Sequence, residues 1–80
     1  MFTEVTPASN DANICIIPGM YLVGENWLNT PVNYGILIVF KAGQYYVQMF
    51  RCVVTSSRSI YSRTSDGGIN WSKWVDHQGV

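Results

Sequence analysis

The residue types that could carry out catalysis are few and scattered along this 80-residue chain. Nucleophilic catalysis needs a nucleophile, a base within hydrogen-bonding reach, and a group that orients the base. His77 is the only histidine and lies close to the C-terminus, where chain ends are usually frayed. The carboxylates lie in leader, loop, turn or tail segments with no evident pairing for acid–base work: Glu4, Asp11, Glu25, Asp66 and Asp76. We therefore expect no catalytic residues and no enzyme.

The two cysteines, Cys15 and Cys52, do not indicate a metal site. With a single histidine they fit no structural zinc spacing. They permit one disulfide, although two small buried thiols are the commoner arrangement. Neither a metal nor another cofactor is expected.

Aromatic side chains set among polar ones are the better candidates for function, since Phe, Trp and Tyr make up 14% of the chain. Indole and phenol rings stack on the C–H faces of sugars, while nearby amide and guanidinium groups bind hydroxyls. The predicted glycan-binding residues are Trp74, Tyr61, Arg63, Asn70 and Gln48. Two alternatives remain open: in so small a domain aromatic rings more often fill the core, and arginines are more often solvated.

A glycine-rich hairpin precedes two tryptophan residues near the end of the chain. Asp66, Gly67 and Gly68 supply the residue pairs that favour the positive φ angles of hairpin turns, and Asp66 is expected to bond its own backbone. Trp71 and Trp74 follow three residues apart, so in a strand they would point to opposite faces. We expect Trp71 in the core and Trp74 to be the more exposed indole.

The same hairpin is similar to the Asp-box, Ser/Thr-x-Asp-x-Gly-x-Thr-Trp, that recurs in sialidase propellers. The matching residues run from Thr64 through Asp66 and Gly68 to Trp71, and Asn70 departs from the usual Thr. In those enzymes the box is a structural hairpin away from the active site. A single copy in 80 residues cannot build a propeller, so the pattern indicates a hairpin and not sialidase activity.

The rest of the sequence predicts a mainly β domain. Residues 1–13 form a polar leader with one short helical turn near Asn10–Asn13, residues 14–76 form the β domain, and residues 77–80 form a tail. Short β-prone runs separated by turns, one of them at Thr55–Arg58, indicate an antiparallel meander of about five strands with at most one short helix. The predicted strands cover residues 14–17, 20–23, 35–40, 44–54, 59–63 and 71–75.

The predicted core is centred on Gly35–Phe40, a run that is apolar on both faces and therefore typical of a strand covered on both sides. Trp27 is expected to plug the irregular loop before it. The predicted core residues are Trp71, Trp27, Ile36, Ile38 and Phe40.

Composition limits the partners. Five basic and five acidic residues give zero net charge, which does not suit binding to a nucleic acid backbone. No apolar run approaches the roughly 20 residues of a membrane span, so the chain is not expected to be membrane-embedded. A domain this small buries only about 60% of its unfolded surface, which favours oligomerisation as a source of stability.

Several pieces, taken in order, resemble the knob domain of R-type pyocin fibres, a module of bacteriophage tail fibres. They are Pro18–Tyr21, the Trp27 loop ending at Pro31, Gly35–Phe40, Tyr46–Phe50, Ile60–Arg63, and Asp66-Gly67-Gly68-x-x-Trp71-Ser72-x-Trp74. Their order and spacing carry the resemblance.

The resemblance implies a β-rich knob within a homotrimeric virion tail fibre that is assembled in the bacterial cytoplasm with other fibre segments. Such a knob or tip would attach to a bacterial surface glycan such as lipopolysaccharide. The alternative is a structural spacer, trimerisation or capping module without receptor contact. Such knobs usually lie in chains of several hundred residues, so we expect this sequence to be a fragment, an internal-start product or a free-standing chain.

Overall fold

A computed structural model describes residues 3–53 and 59–77. These residues form one five-stranded antiparallel sheet in the order β1 to β5, preceded by a 3₁₀ turn at Ala12–Ile14. The strands are β1 (Gly19–Val23), β2 (Gly35–Ala42), β3 (Tyr45–Cys52), β4 (Ile60–Asp66) and β5 (Val75–Asp76). The predicted mainly β fold, a five-stranded antiparallel meander, is confirmed.

The segments that link the strands differ from the prediction in two places. Residues 14–17 do not form a strand; they continue from the 3₁₀ turn, and the side chains of Ile14, Ile16 and Ile17 are exposed. Residues 71–74 are also irregular, since β5 begins only at Val75. The predicted turn at residues 55–58 and residues 78–80 of the predicted tail lie outside the described part of the chain.

The core lies on one face of the sheet, which we call the inner face. Leu37 and Val39 of β2 alternate with exposed or half-buried neighbours, as the period of a strand requires. They pack with other buried residues: Ala12, Cys15, Tyr21, Val23, Phe50 and Cys52. Trp27 and Val32 pack against this cluster from the loop between β1 and β2, so the prediction that Trp27 plugs this loop is confirmed.

The prediction that Ile36, Ile38 and Phe40 belong to the core is wrong. These residues alternate with Leu37 and Val39 and lie on the opposite face, which we call the outer face. Ile36 is 36% and Phe40 38% exposed, and Ile38 is half-buried. The run is apolar on both faces, but the described residues of this chain cover only one of them.

The predicted boundary at residue 14 is also wrong, because part of the leader belongs to the domain. Ala12 is fully buried in the core. The amide of Met20 donates to the Thr3 carbonyl, and the Val5 amide donates to the Met20 carbonyl, so the segment runs parallel to β1. At the other end, the His77 amide donates to the carbonyl of Ile60, so His77 extends the pairing of β5 and is not a frayed tail residue.

Both cysteines are free and buried, in agreement with the alternative of two buried thiols. Burial and, to a smaller extent, the nearby Asp11 carboxylate raise the pKa of the Cys15 thiol to about 11. No helix in the described part of the chain is both long enough and apolar enough to cross a membrane.

Candidate functional site

The centre of the candidate site is the guanidinium group of Arg63, which projects from the inner face of β4. Its carbon atom lies 4.6 Å from the ring centroid of Trp71 and 4.6 Å from that of Trp74. Cations bind the electron-rich faces of indoles at such distances. Arg63 is only 6% exposed, so the prediction that it binds a glycan at the surface is wrong: its charge is held between the two indoles.

Gln48, another predicted ligand residue, is also an interior group. It is fully buried and lies directly opposite Arg63 in the register of β3 and β4. Its Oε1 atom accepts a hydrogen bond from Arg63 Nε at 2.8 Å. Its Nε2 atom donates to the carbonyls of Ala12 at 2.7 Å and Cys15 at 3.0 Å. Gln48 therefore joins the 3₁₀ turn to the sheet and has no surface to offer a ligand.

The two indoles are fixed by their N–H groups as well as by Arg63. Trp71 Nε1 donates to the carbonyl of Asn13 at 3.3 Å, and Trp74 Nε1 donates to that of Asn29 at 2.9 Å. The two acceptor segments are themselves joined by Asp11, whose Oδ1 accepts from the Asn13 amide at 2.9 Å and from Asn29 Nδ2 at 2.8 Å. Three chain segments therefore meet around one buried cation.

The predicted division between a core Trp71 and an exposed Trp74 is wrong. Both indoles are half-buried, and it is Trp74 that packs against the hydrophobic core. The strand alternation on which the prediction depended does not apply, because residues 71–74 are irregular. The chain turns there so that both rings reach Arg63.

Edge-to-face contacts extend this arrangement along the inner face. Trp71 meets Tyr46 with ring centroids 6.3 Å apart, and Trp74 meets Phe50 at 6.4 Å. Phe50 in turn meets Tyr61 at 6.4 Å. Tyr61, a predicted ligand residue, is half-buried against the core. Phe50 lies between Tyr61 and Trp74, so Tyr61 is at the far end of the row from the indoles.

The predicted turn at Asp66, Gly67 and Gly68 is confirmed, although Asp66 acts differently from the prediction. Gly67 and Gly68 have φ angles of 93° and 79°. The Asp66 carboxylate accepts from Nε2 of Gln44, in the turn between β2 and β3, at 2.7 Å and does not bond its own backbone. Ser65 closes the turn: its Oγ accepts from the Gly68 amide at 3.1 Å and donates to the carbonyl of Asn70 at 2.6 Å. Asn70 is exposed beside Trp71.

The electrostatics of the site follow from burial. Burial lowers the pKa of Arg63 to about 10, against the opposing effect of Asp11 and Cys15, so the guanidinium remains charged at neutral pH. Arg63 Nη2 and Asn13 Oδ1 are buried and have no hydrogen-bond partner among the described residues. The charge is therefore stabilised by the indole faces, by the Gln48 amide and by the Asp11 carboxylate.

Sequence reasoning missed three residues that shape the site: Asp11, Asn29 and Ser65. Asp11 precedes the 3₁₀ turn as its N-cap, a position for which Asp is strongly preferred, so this signal was present in the sequence. The pairing of Asn29 with Asp11 joins distant segments and has no local signal.

The arrangement holds two half-buried indoles in contact with one buried cation. In residues 3–53 and 59–77, no group of three or more His, Cys, Asp or Glu side chains is placed to hold a metal ion. Comparisons with protein-family models, curated proteins and solved structures gave no match. The functional interpretation therefore depends on the residues and their geometry.

Proposed function

We propose that this chain is a knob or tip module of a bacteriophage-type tail fibre that attaches to a bacterial surface glycan such as lipopolysaccharide. The observation that carries the proposal is the pair of half-exposed indoles, Trp71 and Trp74, held on either side of Arg63. The order of the knob-like sequence pieces supports the fibre context. The proposed role is binding, not catalysis, in a virion tail fibre assembled in the bacterial cytoplasm.

Rigidity is the first reason that the indoles suit this role. Each ring is fixed by stacking on Arg63 and by a hydrogen bond from its Nε1 atom to a backbone carbonyl. A ring that is already ordered loses little conformational freedom when a sugar stacks on it, which favours binding. The remaining exposed part of each indole offers an apolar surface for sugar C–H groups.

Polar groups beside the indoles supply the second reason. Asn70 and Ser72 flank Trp71, and Lys73 precedes Trp74; all three are exposed. The Asn70 amide and the Lys73 ammonium suit sugar hydroxyls and the anionic groups of lipopolysaccharide, whereas the Ser72 hydroxyl is already bonded to the Thr64 amide and the Lys73 carbonyl. Lys73 therefore replaces Arg63 as the cation expected to bind the anionic groups of the glycan. In a homotrimeric fibre, three such shallow sites would increase avidity by orders of magnitude without any new contact.

The proposal is tested by binding of the chain, fused to a trimeric coiled coil, to immobilised lipopolysaccharide from a panel of Gram-negative strains. Asn70→Ala and Lys73→Ala should each weaken binding, and Trp74→Phe should weaken it by about tenfold through loss of indole surface. Ile69→Ala, at an exposed neighbouring position, is the matched control and should bind as the parent chain does. Equal binding by folded Asn70→Ala, Lys73→Ala and Trp74→Phe would overturn the proposed site.

A second candidate function is a structural spacer, trimerisation or capping module of the same kind of fibre, with no receptor contact of its own. The uncovered apolar outer face of the sheet favours it, because such a surface suits contact with another protein. Deleting the module from a complete fibre separates the two functions. Loss of adsorption from fibres that still assemble supports attachment, whereas failure of assembly supports the structural role.

A further inference from the structure

We infer that the outer face of the sheet binds a carboxylate amphiphile with a single acyl chain, a ligand of the fatty-acid class. The acyl chain lies across the strands from β1 towards β4. The carboxylate binds beside Arg51 and the hydrogen-bonded pair of Ser62 and His77. The inference is independent of glycan attachment, because the indole pair lies on the inner face, and it would stand if the indoles bound nothing.

Two neighbouring rows of apolar side chains cross the outer face at right angles to the strands. Leu22 and Ile36 are paired in the first row, and Met20, Ile38 and Met49 form the second. The rows are two residues apart along each strand, or about 6.6 Å, and we call the space between them the trough. Leu22 is 67% exposed. Contiguous exposed apolar surface of this kind marks a binding site more often than a surface that meets only water.

The trough deepens at its β1 end. Met20, Leu22 and Ile36 line an open groove of about 200 Å³ there, with Glu4 at its margin. The lining is almost entirely apolar, so it suits hydrocarbon. Glu4 lies beyond β1, where it forms a bridge with Met20. Its carboxylate repels an anion, so the hydrocarbon end of an anionic amphiphile lies at this end of the trough.

The cation for the carboxylate lies further along the same trough. Arg51 of β3 is the neighbour of Ile36 in the first row, and its side chain is exposed. From the row of Leu22 to the row of Phe40, the described strands carry one charged side chain on this face, Arg51. A planar guanidinium binds a carboxylate through two parallel hydrogen bonds. The trough therefore joins hydrocarbon-binding surface to an anion-binding group.

Ser62 and His77 supply a further donor at this end. Ser62 lies on β4 diagonally across from Arg51, because its direct partner is Met49. Its Oγ atom is 2.7 Å from Nε2 of His77. If the imidazole donates in this bond, the hydroxyl proton remains for a ligand; if the hydroxyl donates, the Nδ1 proton of the neutral imidazole remains. Either tautomer therefore leaves one donor for a carboxylate oxygen.

The two ends of the trough are separated by a distance that one acyl chain can span. From the groove over β1 to a point between β3 and β4 is two and a half strand spacings, or about 12 Å. An extended chain advances about 1.3 Å per carbon, given C–C bonds of about 1.5 Å, so about ten carbons reach from the groove to Arg51 and Ser62. A mostly apolar site with a few polar groups at one end is the usual composition of a small-molecule site.

The test is an NMR titration of the chain, labelled at its isoleucine and methionine methyl groups, with three probes. Decanoate, kept below the concentration at which it forms micelles, has both the chain and the charge; 1,2-decanediol has the chain alone, and acetate the charge alone. We expect the signals of Met20, Ile36 and Ile38 to shift at about tenfold lower concentration with decanoate than with the diol, and not to shift with acetate. No response to decanoate, or equal responses to decanoate and the diol, would overturn the inference.

Variants place the carboxylate, although the three-probe comparison needs none of them. Arg51→Gln should weaken decanoate binding by about tenfold. Lys41→Gln is the matched control, because Lys41 is an exposed cation that contacts the Tyr46 ring away from the trough, and it should bind decanoate as the parent chain does. Equal effects of the two changes would overturn the site. Sedimentation with phosphatidylglycerol vesicles by a chain that does not respond to decanoate would assign the face to a membrane surface and would also overturn the inference.

Discussion

Arg63 donates a hydrogen bond from Nε to Oε1 of Gln48 across 2.8 Å, and the two residues face each other in the register of β3 and β4. Both are buried, so a charged group and an amide are paired inside a very small domain. The pair lies beneath the two indoles and beside the 3₁₀ turn. Its loss would therefore loosen the proposed attachment surface as well as the core.

Arg63→Lys should reduce the free energy of unfolding by about 2 kcal/mol. Lysine lacks the planar guanidinium that stacks between Trp71 and Trp74 and donates to Gln48. Urea unfolding followed by circular dichroism gives the value. Arg51→Lys is the matched control at an exposed position and should change stability by less than about 0.5 kcal/mol. Equal effects of the two changes would contradict the stacked arrangement.

Gln48→Leu should destabilise the fold by about 3 kcal/mol, because it removes the amide that bonds the carbonyls of Ala12 and Cys15 and leaves the buried Arg63 Nε donor without its partner. Gln44→Leu provides the comparison, since Gln44 is exposed and its side-chain amide donates only to the exposed Asp66 carboxylate. It should cost less than about 1 kcal/mol. Thermal melts of both variants measure the difference, and a tolerant Gln48 site would refute the buried network.

Gly68→Ala should cost about 2 kcal/mol. Its φ angle of 79° is unfavourable for any residue with a Cβ, and an added Cβ would meet Tyr46 Cε1 at 3.0 Å. Gly67→Ala should cost less, because Gly67 also has a positive φ angle but an added Cβ there would meet nothing within 4 Å. Gly24→Ala, where an added Cβ meets nothing within 4 Å, is the control and should be close to neutral. The order of the three melting temperatures checks the hairpin geometry.

Alkaline pH should destabilise the fold through Cys15. Burial raises the pKa of its thiol from 9.0 to about 11, so the unfolded chain loses this proton at a lower pH than the folded chain does. The contribution of this thiol to the free energy of unfolding is complete below pH 9 and is lost as the pH rises towards 11. The loss is about 1 kcal/mol at pH 10.

Urea unfolding at several pH values should show a smaller loss in Cys15→Ala than in the parent chain. Burial also raises the pKa of Tyr21, so Cys15→Ala should still lose part of its stability at alkaline pH. Arg63, with its pKa lowered to about 10, acts in the opposite direction above that pH in both proteins. Identical pH profiles for the parent and Cys15→Ala would contradict a buried, protonated thiol.

The sequence predicts β1 to β4 well because their signals are local. The Asp66-Gly67-Gly68 turn is predicted by residue types that tolerate its backbone angles. The inner face of β2 could not be predicted, since Gly35–Phe40 is apolar on both sides and a strand period alone does not say which side is covered.

The burial of Arg63 was harder to predict for a different reason. It depends on Trp71 and Trp74 converging from an irregular segment and on Gln48 from another strand. An isolated arginine is normally assigned to the surface because burying a charge is costly unless it is paired. Only the tertiary arrangement supplies the indoles and the amide that make its burial acceptable.

Attachment through the indole pair is tested most directly by following the indole N–H signals of the isotope-labelled chain by NMR while oligosaccharide released from lipopolysaccharide is added. We predict that the signals of Trp71 and Trp74 shift together as the sugar is added. Trp27, which packs under the loop between β1 and β2, serves as the internal reference and should not move. Unchanged Trp71 and Trp74 signals at saturating sugar, or shifts confined to Trp27, would contradict attachment through the indole pair.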